Sequence, residues 1–235
     1  MESKSWFFDE LAHAGREHLE TRYAAAYDRK AATDAAEEVA LLRDLGLTDR
    51  STLVDLGAGT GTLALAIAPH CRRVIAVDVS GAMLDVLKAK ATQVEVANVE
   101  CVQAGFLSYR HRGNPVEFLY SRNALHHLPD FWKALALERA ANILKPGGIL
   151  RLRDLVFSFD PSEADDVIED WLADAPEHPD EGWTRTELEG HLRQEHSTFS
   201  WLLEPMLERA GFEIREASYD SARIYAGYIC VKTAR

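Results

Sequence analysis

The chain changes its hydrophobic period in blocks. Residues 52–56 are a short, almost continuous apolar run, which predicts a buried strand. Residues 60–68 read as a helix closed by Pro69, and 73–77 as a second strand. Residues 80–91 read as a helix with Ser80 as its cap. Strands follow at 99–103 and, after the turn Arg112-Gly113-Asn114, at 115–120. A helix over 131–143 is ended by Lys145-Pro146-Gly147-Gly148, and a fifth strand spans 149–156. Strands alternating with helices predict an α/β fold, a doubly wound, Rossmann-like and mostly parallel sheet. Ligands of such sheets bind beyond the carboxyl ends of the strands. That rule gathers residues 57–61, Asp78, 104–106, 121–127 and 153–154 on one rim.

The flanks read differently. Residues 5–45 are dense in helix formers, with Gly46 as a stop, and predict an N-terminal helical cap. From 157 to 204 the alternation breaks in an acidic segment containing Trp171 and Trp183, where Thr186 caps a helix running to Arg193. That acidic run reads first as a solvated face. Helical character returns at 199–210, kinked or restarted by Pro205, and Gly211 ends it. Residues 212–218 and 224–232 then predict an antiparallel hairpin closing the sheet. The expected layout is a single domain over 1–235. It comprises a cap at 1–50, a ligand-binding core at 51–156, an insertion at 157–204, and a terminal helix and hairpin at 205–235. Cap and insertion together would form a lid over the rim.

Composition narrows the function classes. The chain has 235 residues, 47% of them apolar, enough for a packed core. Its formal net charge is -12, and no basic run exceeds Arg72-Arg73. A phosphate-binding surface needs clustered cations, so nucleic acid is not the expected partner. Cys71, Cys101 and Cys230 are scattered and odd in number, which suits buried thiols; they lack metal-ligand spacing, and no metal site is expected. The first residues have no signal-peptide anatomy, and the longest apolar run is too short to span a bilayer. The default expectation is a cytoplasmic protein with no membrane partner; the oligomeric state is left open.

The chemistry concentrates at the first turn. Gly57, Gly59 and Gly61 stand at alternate positions between strand and helix, where the backbone must turn sharply and a ligand can approach closely. Exposed amides at the start of the helix suit an anionic group. Dinucleotide enzymes favour G-x-G-x-x-G here. This chain has G-x-G-x-G with Thr62 following and Asp55 preceding. Asp78, at the end of the second strand, suits a ribose diol, and a helix-capping role is its plain alternative.

These residues give the chain its resemblance. It resembles the class I S-adenosylmethionine-dependent methyltransferases, in the branch acting on small molecules. The similarity is carried by Val54-Asp55-Leu56-Gly57-Ala58-Gly59-Thr60-Gly61, Val77-Asp78-Val79-Ser80, Tyr120-Ser121-Arg122-Asn123-Ala124-Leu125-His126-His127-Leu128 and Leu144-Lys145-Pro146-Gly147-Gly148. Ala210-Gly211-Phe212 and the two strands after it match as well.

The resemblance implies that Gly57, Ala58, Gly59 and Gly61 line the methionine part of S-adenosyl-L-methionine, with Asp55 near the loop. It implies that Asp78 holds the ribose, that Val79 and Met83 flank the adenine, and that the Ser121 backbone faces the ammonium. Tyr27 would sit above the cofactor and Lys30 would reach its carboxylate. The product would be S-adenosyl-L-homocysteine and the partner a small-molecule methyl acceptor. The family's acidic residue after the third strand is absent. Gly105 stands there, leaving the Phe106 amide as the adenine contact and predicting weaker adenine discrimination.

His126 and His127 open a predicted helix beside the expected methyl group. Either could be a general base, and either could be a packed residue bonded to backbone. His127 is preferred as the catalytic one. Arg153 and Asp154 either orient a substrate or pair with each other. Two other functions share some of these features. One is a non-catalytic protein that binds the cofactor or its demethylated product. The other is a nicotinamide-dependent oxidoreductase, which would want a glycine at position 62 and no terminal hairpin.

Overall fold

The computed structural model describes residues 5–15, 30 and 35–234. Helix α1 (Ala35–Asp44) precedes an alternating core: β1 (Thr52–Leu56), α2 (Thr62–Ile67), β2 (Arg73–Asp78), α3 (Gly81–Gln93), β3 (Val99–Gln103), β4 (Val116–Arg122), α4 (Asp130–Ile143) and β5 (Leu144–Phe157). After it come α5 (Ala164–Ala173), α6 (Arg185–Gln194), β6 (Thr198–Phe199), α7 (Ser200–Arg209), β7 (Phe212–Tyr219) and β8 (Tyr225–Lys232). The sheet runs β3-β2-β1-β4-β5-β8-β7, with β6 beside β5. The first five strands pair in parallel, and β8 lies antiparallel to both β5 and β7. This is the doubly wound sheet with a closing hairpin that the periodicity predicts.

Strand alternation divides the core. Leu53, Val74, Ala76 and Phe118 face one apolar layer, packed with Leu42, Ile67, Leu84 and Leu87. Val54, Leu56, Ile75, Val77 and Leu119 face the other, with Leu137, Leu150 and Leu207. Residues one apart on a strand point to opposite faces, so Leu53, Val54 and Leu56 of β1 are needed to fill both layers, with Thr52 and Asp55 buried toward its ends. The chain reverses direction across the sheet between β1 and β4. That crevice is where an open α/β sheet takes its ligand.

Four sequence expectations change. Residues 5–15 are turns rather than helix. Aromatic packing holds them: Phe7 lies 5.1 Å from the Trp132 ring of α4, and Phe8 5.9 Å. Helix α6 starts at Arg185 instead of following Thr186, because Thr184 and Glu187 form a reciprocal capping box. β5 begins at Leu144, so Lys145-Pro146-Gly147-Gly148 loops out within the strand, where pairing jumps from Val116–Leu144 to Phe118–Ile149. His126 and His127 sit in a 3-10 turn (Leu125–His127) before α4, not in the helix itself. Among the described residues no helix is long and apolar enough to cross a membrane.

Candidate functional site

The glycine turn forms the floor of the crevice. Gly57, Gly59 and Gly61 have φ of 77°, 53° and 82°, a left-handed backbone that residues with a Cβ adopt at a cost. Two of them are also short of space. A Cβ on Gly57 would overlap Ala124, and one on Gly61 would overlap Leu87. Gly57 is thus required by a close approach of the β4 loop, and Gly61 by the packing of α3.

Two carboxylates sit at the ends of β1 and β2. Asp78 accepts the Gly59 amide at 2.8 Å on one oxygen and the Ser80 amide at 2.8 Å on the other. These two amides fix the orientation of the carboxylate. Ser80, not Asp78, caps α3, taking the Met83 amide at 3.1 Å. Asp55 is buried, and burial reinforced by the Asp78 charge pushes its carboxyl up to about 8. Two acidic groups held this close favour a cationic ligand.

The turn separates two connected clefts. One, of about 650 Å³, is lined by Gly57, Gly59, Asp78, Val79, Met83, Gly105, Phe106, Asn123 and His127, among others. The second, of about 490 Å³, has Asp55, Ala58, Gly59, Thr60, Tyr120 and Arg122 on its walls. Between them ends β4. Tyr120 Oη, Ser121 Oγ, Arg122 Nε and Asn123 Oδ1 are buried there without hydrogen-bond partners. Buried polar groups are nearly always paired, so four consecutive exceptions mark a place for polar ligand atoms.

Of the residues singled out from the sequence, Asp55, Gly57, Ala58, Gly59, Asp78, Val79, Met83, Gly105, Phe106 and His127 line these clefts. Ser121 lies beneath the surface at the end of β4, and Gly61 serves the turn. Tyr27 lies outside the described residues. Lys30 lines neither cleft. Its ammonium is bound to Glu187 Oε1 at 2.5 Å and lies 5.1 Å from the Trp183 ring centre. The acidic insertion thus supplies an anion for Lys30.

Gly105 is not a gap. Glu10, from the N-terminal segment, reaches over it: Oε1 accepts the Leu107 amide at 2.8 Å and Oε2 the Ser108 hydroxyl at 2.7 Å. A Cβ on Gly105 would run into the Glu10 carboxylate and Val79. Burial raises the Glu10 carboxyl, against the pull of those bonds. Glu10 lines the larger cleft and was missed from the sequence, where nothing links residue 10 to the third strand.

The two histidines separate. His127 faces the larger cleft. His126 is buried, with Nδ1 bonded to Asp154 Oδ1 and Nε2 3.1 Å from Glu195 Oε2. Burial opposes its positive charge, but Asp154 and Glu195 outweigh that and bring the ring up to about 9. Asp154 also accepts the amides of Leu125 at 2.7 Å, His126 at 3.2 Å and Leu155 at 2.8 Å. It therefore pairs with His126 and not with Arg153, whose guanidinium lies 4.9 Å from the Tyr225 ring centre. Adjacent residues on a strand face opposite sides, which makes an Arg153–Asp154 pair geometrically poor. Sequence reasoning also missed Glu195 and His191, carried in by the insertion.

Comparisons with known proteins agree with this geometry. Residues 53–148 match a family described as "Methyltransferase domain". The uncharacterized methyltransferase YcgJ of Bacillus subtilis is 31% identical over 125 residues, covering 50% of this chain and 49% of YcgJ. The solved YcgJ structure superposes with a TM-score of 0.62 at 17% identity, over 85% of this chain and 100% of that one. Magnesium protoporphyrin IX methyltransferase from Synechocystis PCC 6803, solved with bound S-adenosylmethionine, gives 0.65 at 14% identity, over 98% and 100%. The [4+2]-cyclase SpnF gives 0.65 at 17% identity, over 85% and 81%. The chain spans about half the length of the first curated relatives it matches. Residues 53–148 thus match a methyltransferase domain, and the fold around them is the one these solved methyltransferases share.

Proposed function

We propose that this protein binds S-adenosyl-L-methionine across the mouths of β1 and β2 and transfers its methyl group to a small-molecule acceptor. The observation that carries the reading is the carboxylate pair, Asp55 and Asp78, flanking the glycine turn, with Asp55 raised to about 8 by burial and by Asp78. A ligand bearing an ammonium and a sulfonium relieves that repulsion. Asp78 holds the ribose hydroxyls. Val79 and Met83 flank the adenine, and the Phe106 amide meets a ring nitrogen. Gly57, Ala58, Gly59 and Gly61 admit the methionine chain, with the Ser121 backbone at the ammonium.

Methyl transfer is an in-line displacement. Nucleophile, carbon and sulfur must be collinear, and holding them so can supply about 7–11 kcal/mol of the barrier. The bond to sulfur breaks as the bond to the acceptor forms, leaving S-adenosyl-L-homocysteine. His127, on the cleft wall, is placed to receive a proton from an acceptor that must lose one. His126 is a positioning residue, held between Asp154 and Glu195 and fixing the turn that presents His127. The insertion, with Glu195 and His191 beside that turn, and the N-terminal segment, with Glu10, act as the lid.

A second reading follows from SpnF, a [4+2]-cyclase of similar fold: the fold does not by itself dictate methylation. Calorimetric titration with S-adenosylhomocysteine and with NADH, followed by methyl-labelled cofactor and an acceptor panel, separates the readings. S-adenosylhomocysteine heat with labelled product supports methyl transfer. Binding with only unlabelled products supports the second reading, and NADH binding alone overturns both.

A further inference from the structure

We propose that His126, His127 and Glu195 form a site for one divalent first-row transition-metal ion, opening into the larger cleft through His127. Each of the three offers a ligand atom, and these atoms all lie within 4.8 Å of one another. Sequence spacing conceals the group, because Glu195 arrives from the insertion while the histidines follow β4.

Three features of the cluster are those of a coordination site. The first is the spacing. His126 Nε2 and Glu195 Oε2 are 3.1 Å apart. Ligand atoms about 2.0–2.2 Å from one ion stand roughly 3 Å from each other, so the pair forms one edge of a coordination polyhedron. The second is an unsatisfied oxygen. Glu195 Oε2 is buried, with His126 Nε2 and His191 Nδ1 within ion-pair distance, yet it has no hydrogen bond of proper geometry. A buried carboxylate oxygen left short of hydrogen bonds is one that a cation can satisfy. The third is the far side of the ring. Metal-bound imidazoles give their other nitrogen to a carboxylate, which fixes tautomer and orientation. Asp154 does this for His126 Nδ1 and is itself held by the Leu125, His126 and Leu155 amides. The Asp154–His126 unit is therefore built to present Nε2.

Two imidazoles and one carboxylate favour zinc, iron, nickel or copper over magnesium or calcium, which take oxygen ligands. Three protein ligands leave positions open, and His127 on the cleft wall puts them toward the cleft. An ion there would bind an acceptor oxygen and lower its pKa, so that its proton passes to water in the cleft before the oxygen takes the methyl group. His127 is then a ligand and not the proton acceptor. His191, whose Nε2 contacts Ser197 Oγ at 2.7 Å, stands as a reserve ligand or a brace for Glu195.

The site rests on side-chain geometry and is testable apart from the cofactor reading. Chelated, dialysed protein is titrated with Zn2+ and with Co2+, followed by calorimetry, elemental analysis and the visible Co2+ spectrum. One equivalent per chain is expected, with a nitrogen-oxygen Co2+ spectrum. His127→Ala and Glu195→Gln, checked for folding by circular dichroism, are each expected to lose at least 100-fold in affinity. Asp154→Asn is expected to lose about 10–100-fold, as for other outer-shell carboxylates. Absence of stoichiometric binding, or equal binding by Glu195→Gln and wild type, overturns the proposal. Metal-free wild type is titrated with S-adenosylhomocysteine in parallel. Heat there without metal binding sinks the metal site alone, and metal binding without that heat sinks the cofactor reading alone.

Discussion

The Glu10 carboxylate occupies the space that a side chain on Gly105 would need. Anchored by the Leu107 amide and the Ser108 hydroxyl, it returns a carboxylate to a position where the local sequence has none. We expect Glu10→Ala to weaken S-adenosylhomocysteine binding roughly tenfold or more, the scale of one charge-assisted hydrogen bond. Gly105→Asp alone is expected to weaken it as well, by crowding Glu10. The double variant Glu10→Ala, Gly105→Asp should recover part of the loss, because removing Glu10 frees the space. Calorimetry on the four proteins closes the cycle. Additive losses would show that the two residues do not share one position.

Asp78 is held by two amides and presented to the larger cleft. Asp78→Ala is expected to abolish detectable S-adenosylhomocysteine binding while leaving the circular dichroism spectrum unchanged. The Gly59 amide, at the cleft, can take water in its place, while the Ser80 amide loses its partner in a buried turn. Wild-type heats in that variant would remove Asp78 from the ribose.

The two adjacent histidines should respond differently. His127 lines the cleft, so His127→Ala is expected to lower turnover with cofactor affinity unchanged. The ion pair of His126 with Asp154 is buried, and breaking such a pair costs about 3–5 kcal/mol. Asp154→Ala is therefore expected to lower the urea midpoint sharply. Equal stability of Asp154→Ala and wild type would show the pair to be structurally idle, and full turnover in His127→Ala would make that ring a packing residue.

The central strands were legible because parallel, doubly covered strands are mostly apolar, as Leu53, Val54 and Leu56 and the run 74–77 are. The glycine turn was legible because Gly57 and Gly61 answer to positive φ and to close approach at once. What escaped was whatever folding brings together across the chain. Glu10 lies 97 residues from the Leu107 amide it accepts. Glu195 meets His126 only because β6 pairs with the end of β5 and carries the insertion back to the sheet. Helix α5 was missed within an acidic segment. Its apolar side, Val167, Ile168 and Trp171, is covered by Phe159, Phe199 and Ile224 from three separate parts of the chain. Helix α6 was misplaced by two residues at its start, since Thr184 and Thr186 are equally good caps until Glu187 is seen to bond back to Thr184.

Asp55 provides a pH test of the cationic site. Its carboxyl is raised from an ordinary value of 3.8 to about 8 in the folded protein, first by burial and then by Asp78. The native state therefore keeps a proton that the unfolded chain gives up at lower pH. Stability from this group is full below about pH 4 and is lost as pH rises toward 8. Asp55→Asn removes that loss. Its stability relative to wild type is expected to rise between pH 5 and about pH 8 and to level off above, read as the difference in urea midpoints. Taking the difference cancels the other titrating groups. A ligand cation beside Asp55 favours the carboxylate, so S-adenosylhomocysteine binding below pH 8 should release a proton. Buffers of different ionisation enthalpy would then give different calorimetric heats in wild type, and the same heat in Asp55→Asn wherever it still binds. A stability difference that is flat with pH, together with buffer-independent heats, would place Asp55 outside the charge balance of the site and leave that balance to Asp78 and Glu10.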